Sequence, residues 1–404
     1  MGTMPTTNLR RIFIVAGVVS LFVSYLGIWI RLINDPVERT GSDFIAFYSA
    51  GRIAQSAGAA RVYDPELQQQ IEQEEVGFSL VPGQVLLYNH LPFLIPLLQI
   101  LVSPNYVASF YRWIVLLGAL YLVGIIVLSR TLKQAGIDRS STLLSAVGAA
   151  LFLPVFFSLM NGQDTAFLFL GTALWMYGLI SGKEYFAGFG LSLTTVRPHI
   201  ALLLAIPMLF RYRKVFMGFL LGSGVLALFS LLILGLNGTK EFVDILFVSA
   251  GGEWYGMKEK VMYNLIGLLT RALPGLEAGT IRTLGWSVYG MAIIGLCILW
   301  FKTRDLKNAY IGLTITLALF VVPHLHFHDL TLLLIPIYEL IRRSKESGYL
   351  ELSVAVLIPI AISLLLLISN ISYYLQYTIP YLIMLILAAY PFYPKFKVPV
   401  RTAS

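Results

Sequence analysis

The sequence predicts an all-α polytopic membrane protein, and three observations carry that prediction. The 404 residues are 57% hydrophobic and only 12% charged, with a mean hydropathy of +0.78. Apolar runs recur from end to end, several approaching the roughly 20 residues that span about 30 Å of hydrocarbon as a helix. The formal charge of +8 sits in short clusters between those runs. That is the bias of inner-face loops, not the basic patch of a nucleic-acid binder. The single cysteine, Cys297, lies inside an apolar run, so no intrachain disulfide is available.

The first run, Ile12 to Ile30, is uncharged and follows Arg10 and Arg11. It is longer than a signal-peptide core and no small-x-small cleavage pattern follows. A retained span with a cytoplasmic N-terminus is therefore expected. Further runs fall near 106–129, 141–160, 164–181, 185–196, 198–210, 215–235, 282–301, 308–322, 327–341, 351–369 and 374–393, about twelve spans in all.

The stretch LPFLIPLLQILV (91–102) reaches only about 18 Å as a helix, short of the hydrocarbon core, and contains Pro92 and Pro96. If it is half-inserted and does not cross, RTLKQAGIDR (130–139), Lys183, RYRK, KTRDLK, RRSK and KFKVPVR all fall on one side. The inner face then holds a large positive surplus and the outer face a negative one, which sets both termini inside. Two long loops, 34–105 and 236–281, fall outside. No linker divides the chain, so 1–404 reads as one domain. Residues 61–75 (RVYDPELQQQIEQEE) have helical spacing with a polar face and read as a surface helix on the membrane, while the second loop suggests short amphipathic helices.

All five histidines collect at the outer mouths of the spans: His90, His199, His324, His326 and His328. Polar groups there are costly and line cavities. Four segments meet the acidic turn GSDFIAFYS at this face. They are YNHLP (88–92), NGQD (161–164), VRPH (196–199) and VPHLHFHDL (322–330). Asp43 is either a helix N-cap or a catalytic carboxylate. Arg197, beside a helix-breaking proline, either pairs with Asp164 or Asp329 to hold the hairpin or receives a phosphate bidentately. Asp329 reads equally as a cap or as Arg197's partner. At a helix start, His324, His326 and His328 splay around the axis and do not converge on one ion, so no metal and no cofactor is expected.

In this order the segments GSDFIAFYSAGRIA, VYD, YNHLPFLIPLLQILVSP, NGQD, VRPH, MYNLIGLLTRAL and VPHLHFHDL resemble the polyprenol-phosphate-mannose-dependent transferases of glycosyltransferase family 87. The family often has two prolines where this chain has His90-Leu91-Pro92, and lysine where it has Arg197. The resemblance implies a GT-C-like membrane fold and a lipid-linked sugar donor. It further implies inverting transfer to a hydroxyl of a glycolipid or glycan acceptor at the outer face, with Asp43 as general base. A sugar phosphate is a good leaving group, so one carboxylate suffices, and groups must balance the charge growing on the phosphate. Arg197, His199 and His328 are the candidates for that, with Gln163, Asn89 and His90 beside them and Tyr48, Asp164, Asn264 and Asp329 in support. A transporter of a lipid-linked or anionic substrate is the alternative, but no internal repeat is present and the ionisable groups gather on one face. A cell-envelope polymerase would use similar residues in a different order.

Overall fold

A computed structural model describes residues 6–34, 43–251, 258–302, 310–347 and 350–392. Gly41-Ser42, residues 252–257 of the second predicted loop, most of KTRDLK and the terminal KFKVPVR lie outside the described residues. The described chain is a bundle of helices. α1 (Thr6–Asn34) is exposed along most of its apolar surface, as lipid contact requires, with Ile12, Val15, Phe22 and Val23 open. It is tied inward by Tyr25, whose hydroxyl donates to Leu151 O at 2.8 Å. Next come α2 (Phe44–Ser56), α3 (Pro65–Val76), the short α4 (Ile95–Leu101) and the long α5 (Tyr106–Gln134). α6 (Arg139–Ala150) and α7 (Leu153–Asn161) form one path bent by 41°. α8 (Thr165–Ile180) is apolar on every side and buried on nearly all of them, the mark of a central helix.

α9 (Glu184–Ser192), α10 (Pro198–Ala205) and α11 (Met208–Arg211) are short pieces that lead into α12 (Arg213–Gly251), broken at Gly235 where φ is 62° and ψ −173°. α9 lies directly on α12 because glycines let the backbones touch: a Cβ on Gly188 would lie 2.0 Å from Val215 O. α13 (Leu265–Ala272), α14 (Ala278–Lys302), α15 (Tyr310–Val321), α16 (Leu334–Ser347), α17 (Leu352–Ala355), α18 (Ile358–Ser369) and α19 (Tyr373–Ala389) complete the bundle.

Among the described residues, 5 helices are long and apolar enough to cross a membrane, or 6 if the bent α6–α7 pair counts as one span. The other predicted spans are helices of 10–17 residues or shorter pieces. Prolines explain much of the shortening: Pro92, Pro198 and Pro359 each stand in the first turn of a helix, where a missing N–H costs nothing. The predicted span 327–341 is a 3₁₀ turn, Phe327–Leu333, followed by α16. The expected half-inserted segment is one 3₁₀ turn plus the seven residues of α4.

The predicted surface helix is α3, and its polar side is only partly a surface. Asp64 caps it, accepting from Glu66 N at 3.0 Å and Leu67 N at 3.2 Å, and Gly77 ends it at a φ of 80°. Gln68 and Glu72 are 0% and 2% exposed and bind the extended chain that follows. Gln68 donates to Val62 O at 2.8 Å and accepts from Tyr88 N at 2.6 Å, while Glu72 accepts from Leu86 N at 3.2 Å. These bonds satisfy the backbone N–H groups of Leu86 and Tyr88 and so position Asn89 and His90.

Burial pushes the Glu72 carboxyl up to about 8, with the Leu86 N–H opposing. A raised carboxyl contributes stability that is fully present below its ordinary 4.5 and is lost as pH rises through about 8. Glu72→Gln should therefore match wild type in Tm below pH 4.5 and exceed it increasingly up to pH 8, as read by thermal unfolding in detergent. Parallel melting of the two proteins across that window would refute a buried neutral acid.

Candidate active site

Five segments converge on one cavity of about 820 Å³, lined by Asp43, Asn89, His90, Gln163, Arg197, His199, His324, His326 and His328 among others. Asp43 stands at the head of α2 but its side chain caps nothing there. Its Oδ2 instead accepts from Gln163 Nε2 at 2.5 Å. The N-cap alternative is thus replaced by a contact that spans 120 residues of sequence.

Gln163 is held by the turn between α7 and α8. Gly162 ends α7 at a φ of 70°, its carbonyl accepts from Trp113 Nε1 at 2.7 Å, and a Cβ there would meet Phe44 at 2.8 Å. Gln163 N donates to Ser158 O at 2.9 Å. The Gln163 Oε1 accepts from Arg197 Nη2 at 3.3 Å, so one amide joins Asp43 to the guanidinium and both of its ends are used.

Arg197 sits where the chain breaks before Pro198, 9% exposed. Asp164 Oδ1 lies 3.0 Å from its Nη1 as an ion pair, and Asp329 Oδ1 lies 3.7 Å from its Nε. Both structural partners expected from the sequence are therefore present together. Asp164, 0% exposed, also takes His90 Nδ1 at 2.8 Å. The His90 carbonyl accepts from Tyr63 OH at 2.7 Å, and its ring lies 4.4 Å from Phe47 and 5.3 Å from Tyr88. Asp329 accepts from His326 N at 3.1 Å and Thr165 Oγ1 at 3.3 Å, so it caps the 3₁₀ turn as well as pairing with Arg197.

The histidine run does not splay as a helix start would make it. Residues 323–326 are not helical, and His326 is extended with φ −107° and ψ 172°. The rings of His324 and His326 are 4.5 Å apart, and those of His326 and His328 are 5.7 Å apart. Burial pushes His326 down to about 4, with His328 adding to the effect, and burial followed by His326 pushes His324 well below the usual imidazole range. These imidazoles are neutral. His199 Nε2–H donates to His324 O at 3.0 Å, which fixes that tautomer, and its own carbonyl accepts from Tyr289 OH at 2.7 Å. Among the described residues no group of three His, Cys, Asp or Glu has an arrangement fit to hold a metal ion.

All four of the expected supporting residues lie outside the cavity lining, Asp164 and Asp329 behind it as partners of Arg197. Tyr48 is buried and donates to Pro104 O at 3.3 Å, fastening α2 to the start of α5. Asn264 caps α13 through Gly267 N at 2.9 Å and donates to Val322 O at 2.7 Å, tying the second loop to the histidine segment. Sequence reasoning missed the far wall: Lys258 and Glu259 from that loop, Arg282 and Trp286 from α14, and Tyr377 from α19. Arg282 pairs with Glu259 at 2.5 Å. Arg282 and Trp286 are one turn apart at the start of α14, a pair that reads as an ordinary span end when taken alone.

The family model described as Glycosyltransferase family 87 matches residues 90–323, more than half of the chain. No curated protein and no solved structure matches it.

Removing one member of a buried ion pair leaves the other charge uncompensated, at a typical cost of about 3–5 kcal/mol. Asp164→Ala should destabilise the fold by roughly that amount, toward the lower bound because Asp329 still reaches Arg197. Denaturant or thermal unfolding checks it, and an unchanged midpoint would show that the pair carries no stability.

Proposed function

The chain belongs to glycosyltransferase family 87, and from that membership we propose a transferase that moves a sugar, mannose by the family resemblance, from a polyprenyl-phosphate donor to a hydroxyl. The bridge Asp43–Gln163–Arg197 inside one cavity is the observation that carries this reading. It joins a carboxylate and a cation through one side chain, so a base for the acceptor hydroxyl and a positive group for the departing phosphate share one cavity.

Asp43 accepts the acceptor's proton as its oxygen bonds to the anomeric carbon. The carbon–oxygen bond to phosphate breaks and the electron pair leaves with the phosphate, which needs no general acid. Attack opposite the leaving group inverts the anomeric centre. Gln163 keeps Asp43 facing the cavity, and its amide polarity is set by Arg197 on its other end. Arg197, His199, His328, Asn89 and His90 surround the donor's phosphate and sugar in this reading. The acceptor is a glycolipid or glycan hydroxyl. The cavity opens on the outer face with both termini in the cytoplasm, and the bundle is GT-C-like with about twelve membrane passes, some of them made by the short helices.

Asp43→Asn should lower transfer of labelled sugar from polyprenyl-phosphate-mannose by at least about 10²-fold, the scale of a lost general base, while donor binding persists. Wild-type turnover by that variant would remove Asp43 from the chemistry. Gln163→Glu sets a second carboxylate against Asp43 and should move the acidic limb of the pH–rate profile upward. An unshifted profile would dissociate Gln163 from the base.

A further inference from the structure

The charge inside the cavity does not balance for an anionic donor. Arg197 is the one cation of the inner cluster, and it is shared between Asp164 and Asp329 and joined through Gln163 to Asp43. One guanidinium therefore faces three carboxylates before any substrate enters. At the rim Arg282 is paired with Glu259, and Lys258 is exposed to solvent. A phosphodiester brings a further negative charge into a buried space where like charges repel strongly. Arg197's charge is already shared among these carboxylates and balances the phosphate only in part.

Imidazoles are the remaining groups that can supply one. We infer that the donor's phosphate enters together with a proton, taken up by the His326–His328 pair, and that the resulting imidazolium, more than Arg197, is what neutralises it. Geometry favours this pair. Both rings line the cavity and lie 5.7 Å apart, and Asp329 Oδ2 is 3.7 Å from His328 Nε2 to support a positive charge. Asp43 also favours the cation on both rings and Asp164 on His328, while Arg197 opposes it. His90 is engaged by Asp164 and His199 by the His324 carbonyl, so one nitrogen of each ring is already committed. Tyr263 and Tyr377, from the second loop and α19, complete the surroundings.

His326 is driven down to about 4, mainly by burial. A bound anion reverses that balance, since an opposite charge within hydrogen-bond reach favours the protonated ring. The transfer step then leaves the total charge unchanged. Asp43 loses its charge on accepting the acceptor's proton as the phosphate gains one, so a single proton loaded at binding serves the whole cycle.

This inference rests on the phosphate-site reading above, and one probe separates the two. The methyl ester of farnesyl phosphate is a permanent monoanion with no titration of its own near neutrality. Its binding to the full chain in detergent would be followed by calorimetry in two buffers of different ionisation enthalpy. Uptake of close to about one proton per diester bound is expected, with affinity weakening by up to about tenfold per pH unit through the neutral range. His326→Gln combined with His328→Gln should abolish most of that uptake. Binding without proton uptake, and with pH-independent affinity, would overturn the inference and leave the phosphate site standing. Uptake unchanged in the double variant would overturn the assignment to this pair. No binding at any pH would overturn the phosphate site itself. The wild-type proton count decides the central point even where the double variant does not fold.

Discussion

Everything at the candidate site depends on a guanidinium that has been taken out of water. Arg197 occupies a break between short helices, buried away from water, and a charge in that position persists only with partners. Asp164 and Asp329 supply them from two other places in the chain, the head of α8 and the 3₁₀ turn before α16. Each carboxylate is in turn fastened by a second contact, to His90 in one case and to Thr165 and the His326 backbone in the other. Three helix junctions are thus locked by the requirement to keep one charge paired. The cavity is what their ends enclose.

Much of this was legible in the sequence, and the reasons for the exceptions are physical. Isolated polar groups in an apolar chain announce themselves, so Asp43, Gln163, Asp164, Arg197 and the histidines stood out, and the chain order of their motifs resembled one family. Whether Asp43 capped a helix or faced a cavity could not be read locally, because the residue that decides it, Gln163, lies 120 positions away. Periodicity misjudged the histidine run by assuming that the helix begins before it, whereas the helical turn starts at Phe327 and the His324 and His326 rings meet edge to face along extended chain. The far wall was hidden for the opposite reason. Trp286 and Arg282 carry the signature of any span end, and only the fold turns them toward the cavity.

Helix count was the weakest reading, since hydropathy measures apolar length and is blind to where proline and glycine interrupt it. The polar face of α3 shows a related gap. A helix rich in Gln and Glu reads as a solvated surface, yet Gln68 and Glu72 turn inward to accept from backbone N–H groups of the extended chain that follows. That use of side chains makes a loop of the cavity wall as fixed as a helix. Tyr63 carries the same order to the His90 carbonyl.

Gly235 lies outside the cavity and touches nothing, since a Cβ there would meet no atom within 4 Å. Its φ of 62° and ψ of −173° nevertheless set the direction in which α12 continues. Phe242 and Leu246, which line the cavity, and the Gly238 backbone, which rests on Ala60, all lie beyond that bend. The torsion of one peptide link therefore acts as a rudder for a whole wall. The width available to a substrate is written partly in a residue that no substrate reaches, in a conformation that residues with a Cβ rarely adopt.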